Sequence, residues 1–420
     1  MKRLPARGWT FALLLLLCWP SLGPCPAAAA NVVLLVMDDA AASDVNGMPT
    51  VQQLAREGTS FDHAYSPSPM CAPSRAIIQT GLYSQNNGVT QNSWRQFVEH
   101  GDLTRTFAYA LHDAGVGTGL VGKYINGAPP AVPGWDSFAV HLEAGSGDGG
   151  SSTYYDYLLR IDGRKLAYGR APGDYSTDVY RGFALRDIAA ALATRRPFLT
   201  MLNVGAPHNP PTPAPRYASG PGTVRQRTLL AVDDALSAII ELLKRTGRYD
   251  DTYLVVTSDQ GLAFGRNPSK GVPYEGSINV PLVIKGPGVK AGVTLHEIAD
   301  LADLAPTFLD WMGAPPMAAD GRSLAPLLRG SGAPVGWRQA MGITHERMGS
   351  APGVPSWRGV RTTRYAYWKF QGGGAELYDM AHDADQRRNI AGDDPALIPA
   401  LRSLDRWNAS PMAPSCGFEQ

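Results

Sequence analysis

Short apolar runs alternate with amphipathic segments along most of the chain. Residues 31–37 are apolar after the first position and end at two aspartates, a pattern that is typical of a strand buried on both faces. Similar runs occupy residues 117–121, 198–203, 253–258 and 280–284. Strands of this kind belong in the middle of a sheet that is covered by helices.

The spacing of apolar residues between these runs predicts four helices, at residues 49–57, 104–114, 178–193 and 225–246. Because strands alternate with helices, the sequence predicts an α/β fold with a mostly parallel sheet. Two further segments have the composition of loops. They are the glycine- and serine-rich residues 144–152 and the proline-rich residues 206–221.

The pattern changes after Leu328. Residues 329–336 have the composition of a linker, and residues 359–370 and 376–378 suggest a small antiparallel sheet, followed by a helix at 395–407. The 420 residues are enough for one large domain and a smaller one. We therefore expect a main domain over residues 31–335 and a C-terminal α+β subdomain over residues 336–420.

Residues 1–30 have the layout of a secretory signal peptide. Lys2, Arg3 and Arg7 precede an apolar run at 11–18, and alanines occupy positions 27–30. The run is too short for a spanning helix, so we expect export to a periplasmic, secreted or lysosome-like compartment without stable membrane insertion. The alternatives are an uncleaved anchor and a lipoprotein modified at Cys25, although a preceding proline fits a lipidation site poorly.

Charge and cysteine content exclude several classes of protein. A formal net charge of +1 with 18% charged residues gives no field that would attract nucleic acid or an anionic membrane, so an anionic substrate must be recognised locally. Removal of the signal would leave Cys71 and Cys416, too few for a disulfide scaffold. These two could pair, but a lone cysteine deep in an exported chain points to a chemical role.

Polar residues follow the predicted strands where each one stops. They are Asp38, Asp39, Lys123, His208, Asp259 and Gln260. Ligands of open α/β sheets bind beyond the carboxyl ends of strands, so these residues can meet at one site.

Adjacent side chains on a strand point to opposite faces, and Asp38 and Asp39 can reach one ion only because the strand ends there. With Asp259 and the Gln260 side-chain carbonyl they form an all-oxygen set that suits Ca²⁺ or Mg²⁺ better than zinc. The alternative for the aspartate pair is a helix cap and a solvated carboxylate.

The most specific segment contains Cys71, Pro73, Ser74 and Arg75. It resembles the Cys-x-Pro-Ser-Arg signature of the type I sulfatases, in which a formylglycine-generating enzyme converts the cysteine to an aldehyde. The resemblance extends over nearly the whole mature chain, at residues 38–39, 122–124, 207–208, 258–261, 270, 274–276, 279–282 and 376–379. It implies an alkaline-phosphatase-like fold with a large mixed, mostly parallel sheet, a formylglycine at position 71 and a bound divalent cation.

The resemblance also implies a mechanism. A thiolate attacks a crowded sulfate ester poorly, whereas the hydrate of an aldehyde has one hydroxyl to attack sulfur and a second to expel sulfate afterwards. Pro73 suits the first turn of a helix, so Cys71 would lie at a helix N-terminus whose free N–H groups face the sulfate. The alternative is a buried structural cysteine before an ordinary helix.

The implied metal ligands are Asp38, Asp39, Asp259, Gln260 and the converted Cys71, with glutamine in place of the family's usual asparagine or histidine. The resemblance favours Ca²⁺, and Mg²⁺ stays open.

Three cations are placed around the aldehyde and sulfate by the same resemblance. Arg75 would hold the hydrate, and Lys123 and Lys270 would hold sulfate oxygens. Fixed cations favour the transition state because the bridging oxygen gains charge as the S–O bond breaks. His208 is the candidate to protonate the leaving alcohol or to contact sulfate. Without this context the lysines would be solvated surface residues and the histidine an unremarkable loop residue.

Ile125 departs from the arylsulfatase pattern, which has a histidine at this position. Residues 122–126 instead resemble the N-acetylglucosamine-6-sulfatase branch, as do residues 133–136, 154–157 and 174–178. The chain is shorter than that branch between Pro215 and Arg225, which leaves the substrate open. We expect the histidines at positions 63, 112, 141, 296, 345 and 382 to be structural or surface residues.

The leading hypothesis is a sulfatase that hydrolyses O-sulfate esters of sulfated amino sugars or glycans. The predicted catalytic residues are Cys71, Arg75, Lys123, His208 and Lys270. Two enzymatic alternatives are an arylsulfatase of broad specificity and a phosphate or phosphonate monoester hydrolase of the same superfamily. A third alternative is a non-catalytic protein that binds sulfated glycans, in which Cys71 stays a thiol.

Overall fold

The computed structural model describes residues 30–100, 102–142, 153–263, 269–330, 332–349, 353–393 and 397. The predicted signal peptide, the predicted loop at 144–152 and, apart from Leu397, the predicted C-terminal helix lie outside the described residues. Among the helices in these ranges, none is long and apolar enough to cross a membrane.

The described residues form sixteen strands and ten α-helices. The strands are β1 (Asn31–Met37), β2 (Thr59–Phe61), β3 (Ala64–Tyr65), β4 (Gly117–Gly122), β5 (Ser137–Leu142), β6 (Tyr157–Ile161), β7 (Arg164–Tyr168), β8 (Phe198–Asn203), β9 (Thr252–Ser258), β10 (Leu282–Lys285), β11 (Val293–Leu295), β12 (Ala299–Asp300), β13 (Ala340–His345), β14 (Trp357–Thr362), β15 (Tyr365–Phe370) and β16 (Ala375–Asp379). The helices are α1 (Pro49–Glu57), α2 (Cys71–Thr80), α3 (Ser84–Asn87), α4 (Trp94–His100), α5 (Phe107–Asp113), α6 (Ser176–Thr194), α7 (Val224–Arg245), α8 (Glu275–Ile278), α9 (Leu304–Met312) and α10 (Ala325–Leu328).

Ten of the described strands form the main sheet, in the order β11-β2-β10-β9-β1-β8-β4-β5-β6-β7. The five strands at its centre, from β9 to β5, run parallel. On one side β10 pairs antiparallel with β9, and on the other side β6 pairs antiparallel with β5. The predicted large, mixed and mostly parallel sheet is therefore confirmed.

The central strand β1 is continuously apolar because helices pack on both of its faces. Val32, Leu34 and Val36 pack on one face of the sheet against α2, α5 and α9. The alternate residues Val33, Leu35 and Met37 pack on the other face against α1, α6 and α7. Because helices cover both faces, neither set of side chains can be polar. The polar positions are confined to the end of the strand.

Most predicted elements are present with small changes at their ends. β1, β8 and α1 have the predicted bounds. The strand predicted at 280–284 begins at Leu282, because the preceding proline has no N–H to offer the sheet. The hairpin of β6 and β7 was not predicted. β7 is exposed along nearly all of its length, so it lacks the alternation of apolar and polar residues that marks a strand.

The C-terminal part of the described chain contains a separate four-stranded antiparallel sheet, β13-β14-β15-β16. The predicted small antiparallel sheet is confirmed, and β13 extends it by a strand that was not predicted. Met341, Ile343 and Trp368 of this sheet pack against Tyr65 and Ile278 of the main part. The two sheets therefore share a core.

A buried ion network fixes the start of this second sheet. The guanidinium of Arg338 donates to Asp300 at 2.9 Å and to both carboxylate oxygens of Asp303 at 2.5 and 2.6 Å. The hydroxyl of Tyr83 donates to Asp300 at 2.9 Å. Burial raises the pKa of Asp300 to about 7, although Arg338 opposes this shift. The cation therefore compensates two carboxylates that have little access to water.

We predict that Arg338→Met lowers the free energy of unfolding by about 3–5 kcal/mol, because it leaves buried carboxylates without their cation. Chemical denaturation followed by fluorescence measures the loss. The control is Arg364→Met, which removes an ion pair to Asp379 from the protein surface and should leave the unfolding midpoint nearly unchanged. Equal losses in the two variants would contradict the role given to Arg338.

Candidate active site

The strand ends that the sequence singled out meet at one edge of the main sheet. Because β1, β4, β8 and β9 are parallel, their carboxyl ends lie side by side. The hydrogen bonding continues one residue beyond two of these strands. The N–H of Asp38 donates to the carbonyl of Ala206, and that of Asp259 donates to the carbonyl of Met37, both at 3.1 Å. The structure thus brings the two carboxylates to the same edge.

Gly122 ends β4 immediately before Lys123. Its φ of +97° is one that other residues rarely adopt, and a Cβ there would lie 1.9 Å from the carbonyl oxygen of Asn203. This close approach lets the N–H of Lys123 donate to the same carbonyl at 3.0 Å. Glycine is therefore required at the point where the chain turns the lysine into the site.

Asp39 has left-handed backbone geometry, with φ of 66°. Its N–H donates to Asp259 Oδ1 at 3.1 Å, which helps to hold this uncommon conformation. Both Asp38 and Asp39 are at most 2% exposed, and one oxygen of each lies in the same group of potential metal ligands. The turn at the end of β1 therefore brings two adjacent carboxylates to one point, as the sequence required.

Cys71 is the first residue of α2, as predicted, and is a buried free thiol. The Nε2 of Gln260 and the Nζ of Lys270 each lie 3.2 Å from its sulfur. Burial raises the pKa of the thiol to about 11, although Lys123 and Lys270 oppose this shift. An unconverted Cys71 is therefore protonated at neutral pH and a weak nucleophile. Cys416, its possible disulfide partner, lies outside the described residues.

The N–H groups at the start of α2 differ from the expectation of free donors. The N–H of Ala72 donates to Asn92 Oδ1 at 2.9 Å, Pro73 has none, and the N–H of Ser74 donates to the carbonyl of Met70 at 2.9 Å. The expectation that several of these donors face a sulfate is therefore wrong for Ala72 and Ser74.

Two of the predicted cations, Arg75 and Lys123, form buried ion pairs with Asp259 and Asp38. Arg75 Nε donates to Asp259 Oδ2 at 2.8 Å, and Lys123 Nζ donates to Asp38 Oδ2. Burial by itself would raise the pKa of Asp38, but Lys123, His208 and Arg75 together hold it well below its usual range. Burial by itself would lower the pKa of Arg75, but Asp259 and Asp38 raise it above its usual value overall. Arg75 therefore stays charged.

The third predicted cation, Lys270, faces the other carboxylate. Its Nζ donates to Asp39 Oδ1 and Oδ2 at 3.0 and 3.1 Å. Burial by itself would lower the pKa of Lys270, but Asp39 raises it well above its usual value overall. Burial raises the pKa of Asp259 to about 7, with Arg75 opposing. The cluster thus alternates positive and negative groups around the sulfur of Cys71.

Four side chains of the described residues, Asp38, Asp39, Cys71 and His208, offer potential metal-ligand atoms that all lie within 4.8 Å of one another. Gln260 Nε2 donates to Asp39 Oδ1 at 2.5 Å, and its Oε1 is buried without a hydrogen-bond partner in the described part of the chain. A half-turn of this amide exchanges the two atoms and presents oxygen to the carboxylates. The donors therefore fit a hard cation such as Ca²⁺ or Mg²⁺.

Asp259 stands slightly apart from this group. Its Oδ1 accepts hydrogen bonds from the N–H groups of Asp39 and Gln260, and its Oδ2 accepts one from Arg75. Both oxygens are therefore already engaged, and its carbonyl accepts a hydrogen bond from the hydroxyl of Ser74. Its role as a metal ligand stays a prediction.

His208 lies at the open side of the cluster. Its Nε2 is 3.7 Å from Asp39 Oδ2, and its Nδ1 is 2.8 Å from the carbonyl of Asn209. The side chains of His208 and Lys270 are 30% and 20% exposed, whereas those of Asp38, Arg75 and Lys123 are at most 6% exposed. A substrate would therefore enter past His208 and Lys270.

Ile125 is fully buried in the core beside α2, so the position where arylsulfatases carry a histidine is a packing position here. Of the histidines left outside the site, His141 is buried and contacts the Tyr180 hydroxyl at 2.5 Å, and His345 is buried beneath Trp357. His296 and His382 are exposed. These positions agree with structural and surface roles.

Three residues near the site were not predicted. Arg225 donates to the carbonyls of Asp39 and Pro207. Asn92 accepts the hydrogen bond from the N–H of Ala72 described above. Tyr154 donates to the carbonyl of His208 at 2.8 Å. Of the three, Tyr154 belongs to a segment that resembles the N-acetylglucosamine-6-sulfatase branch, and Arg225 begins a predicted helix, but the sequence indicated no role at the site for either.

Comparison with protein families agrees with this geometry. A family model described as Sulfatase matches residues 30–314, which is more than half of the chain. The chain belongs to the sulfatase family. A second model, described as N-sulphoglucosamine sulphohydrolase, C-terminal, matches residues 269–403. The predicted family of sulfuric ester hydrolases is therefore confirmed.

Individual sulfatases resemble the chain over much of its length. The N-acetylglucosamine-6-sulfatase of Homo sapiens is 31% identical over an alignment of 508 positions, which covers 96% of this chain and 90% of the relative. The extracellular sulfatase SULF-1 homolog of Drosophila melanogaster is 33% identical over 360 aligned residues, which cover 71% of this chain and 31% of the relative. The chain therefore spans about a third of the length of the Drosophila protein.

Solved structures share the fold. A protein in complex with its substrate D-glucosamine-2-N,6-O-disulfate has a TM-score of 0.79 and 23% identity, covering 91% of this chain and 98% of its own. The phosphonate monoester hydrolase of Silicibacter pomeroyi has a TM-score of 0.71 and 24% identity, covering 90% of this chain and 94% of its own. At these identities the likeness concerns the fold.

Proposed function

We propose that this sulfatase hydrolyses O-sulfate esters of sulfated amino sugars or glycans, with residue 71 in the formylglycine form and a bound Ca²⁺. The observation that carries the proposal is the convergence of Cys71 with three cations and two buried carboxylates at one edge of the sheet. Such an arrangement suits a tetrahedral anion whose leaving oxygen gains negative charge. Mg²⁺ suits the same oxygen donors and is the alternative ion.

Asp38, Asp39 and Gln260 would hold the cation together with residue 71, and Asp259 is the further predicted ligand. The bound cation would lower the pKa of the aldehyde hydrate and offset sulfate charge. Gln260 would take part through Oε1, the buried atom that lacks a partner in the described structure. This ligand set contains no soft donor once the cysteine is converted, which favours a hard ion.

The depth of Arg75, Lys123 and Lys270 in the site suits each of them to a different contact. Arg75 and Lys123 are almost fully buried and would hold the hydrate and the inner sulfate oxygens. Lys270 is partly exposed and would contact a sulfate oxygen nearer the entrance. Each of them is fixed by a carboxylate before substrate arrives, so little reorganisation accompanies the reaction.

His208 would donate a proton to the leaving alcohol. Its Nδ1–H donates to the carbonyl of Asn209, which directs Nε2 toward the cluster. In the imidazolium form Nε2–H is then the transferable proton. The exposure of His208 at the open side of the site supports a role toward the sugar rather than toward the sulfate.

Two observations support a sulfated amino sugar as the substrate. Residues 122–126 have the pattern of the N-acetylglucosamine-6-sulfatase branch, and a relative of that name aligns over 96% of the chain. The shortened segment between Pro215 and Arg225 lies near the His208 loop and would alter which neighbouring groups fit.

The proposal includes the maturation and organisation expected from the sequence. A signal peptide at residues 1–30 would direct export, and a formylglycine-generating enzyme would convert Cys71 while the chain is unfolded. Residues 31–335 would form the catalytic domain and residues 336–420 the C-terminal subdomain. No nucleic-acid partner is expected.

We predict that Cys71 loses its sulfur and gains an aldehyde when the chain is produced with a formylglycine-generating enzyme. Mass spectrometry of peptides that span Cys71 measures the conversion. Cys416 in the same digest is the internal control, since it lacks the Pro and Arg context and should remain a thiol. An unmodified Cys71 in purified, exported protein would refute the formylglycine mechanism.

The phosphonate monoester hydrolase of similar fold makes phosphate or phosphonate esters the second candidate substrate class. We expect the mature protein to turn over N-acetylglucosamine 6-sulfate faster than the 6-phosphate, as measured by kcat/KM for each. Cys71→Ala should lower sulfate turnover by at least about a thousandfold, because it removes the nucleophile, while the thermal midpoint changes little. Faster turnover of the phosphate, or an active Cys71→Ala variant, would contradict the proposal.

A further inference from the structure

Arg225 is the second residue of α7 and is buried beside the site, although no sequence pattern marks it. Its guanidinium reaches two backbone carbonyls that flank the cluster. Nη2 donates to the carbonyl of Asp39, and Nη1 donates to the carbonyl of Pro207 at 3.2 Å. One side chain thus contacts the segment that ends β1 and the segment that carries His208.

The carboxylate of Asp44 orients this guanidinium. Arg225 Nε and Nη2 donate to it at 3.1 and 2.8 Å, in the forked geometry that only arginine offers. The carboxylate also accepts a hydrogen bond from the N–H of Ala41 at 2.9 Å. Because Asp44 lies in the short 3₁₀ helix after β1, it fixes Arg225 relative to the carboxylates of the site.

The carbonyl that Arg225 holds belongs to a residue with uncommon backbone geometry. A left-handed conformation is unfavourable at a residue other than glycine, so surrounding contacts must hold it. At Asp39 the N–H is held by Asp259 and the carbonyl by Arg225. A change at Arg225 would free one side of the turn that brings the two carboxylates of β1 together.

We propose that Arg225 is a positioning residue that sets Asp39 and His208 at a fixed separation. It contacts neither ion nor substrate. It acts on cation binding through Asp39 and on proton donation through the Pro207 carbonyl next to His208. This inference deepens the proposed function and rests on it.

The test uses mature full-length protein and the variant Arg225→Lys, which keeps the charge and loses the fork. Ca²⁺ alone is titrated calorimetrically, and kcat and KM are measured with N-acetylglucosamine 6-sulfate. We expect Ca²⁺ affinity to fall about 10–100-fold, as for other groups that orient metal ligands. We also expect kcat to fall with little change in KM, because misplaced groups act mainly in the transition state.

Arg227→Gln is the matched control. Arg227 lies two positions further along the same turn of α7 and donates to the carbonyls of Gly220 and Gly222, away from the cluster. It should keep wild-type Ca²⁺ affinity and kcat. Wild-type values in Arg225→Lys, or equal losses in Arg227→Gln, would overturn the positioning role.

Asp44→Asn keeps the inference testable if Arg225→Lys does not fold. It removes the anchor of the guanidinium and leaves both carbonyl acceptors, so Ca²⁺ affinity should fall several-fold, and an unchanged affinity would overturn the inference. Tyr154→Phe separates the two effects, because it frees only the His208 carbonyl and should lower kcat without changing Ca²⁺ affinity. Wild-type protein that neither binds Ca²⁺ nor cleaves the sulfate would instead refute the proposed function.

Discussion

The structure depends on charge compensation at the carboxyl edge of the main sheet, where three carboxylates lie out of contact with water. An ionised carboxylate costs several kcal/mol to bury unless cations and hydrogen bonds offset the loss of hydration. Each carboxylate here has its own cation. The pairs are Asp38 with Lys123, Asp39 with Lys270 and Asp259 with Arg75. The site is therefore assembled as a balanced set, and loss of one member leaves a buried charge unpaired.

The same constraint links the fold to the chemistry. The carboxylates follow β1 and β9, one lysine follows β4, and the arginine lies in α2. Their side chains meet only when the parallel strands are in register, so the folded sheet sets the separation of the charges. In the proposed function the protein holds the cation, and a sulfate ester would enter a site whose positive groups are already oriented. Residue 71 lies at the centre of this set, where the sulfur atom of the cysteine now contacts Lys270 and Gln260.

The sequence predicted the parts of the molecule that leave a local pattern. Buried parallel strands are continuous apolar runs, so the centre of the sheet was predicted, and the Cys71 motif is specific enough to identify the family. The edge strand β7 was missed because it is exposed along nearly all of its length and so shows no alternation of apolar and polar residues. Arg225 and Asn92 were missed because they bind backbone groups of distant segments. Such contacts depend on three-dimensional proximity and leave no spacing in the sequence. The expectation of free N–H groups at the start of α2 failed for the same reason at Ala72, whose partner Asn92 is 20 residues away in the sequence.

The central claim is that the buried charges form a cation site around residue 71. A crystal structure of the mature protein grown with Ca²⁺ tests it most directly. The account predicts an ion about 2.3–2.6 Å from oxygens of Asp38 and Asp39 and of the converted residue 71, with Gln260 Oε1 turned toward it. It would be contradicted if saturating Ca²⁺ left no ion between these groups.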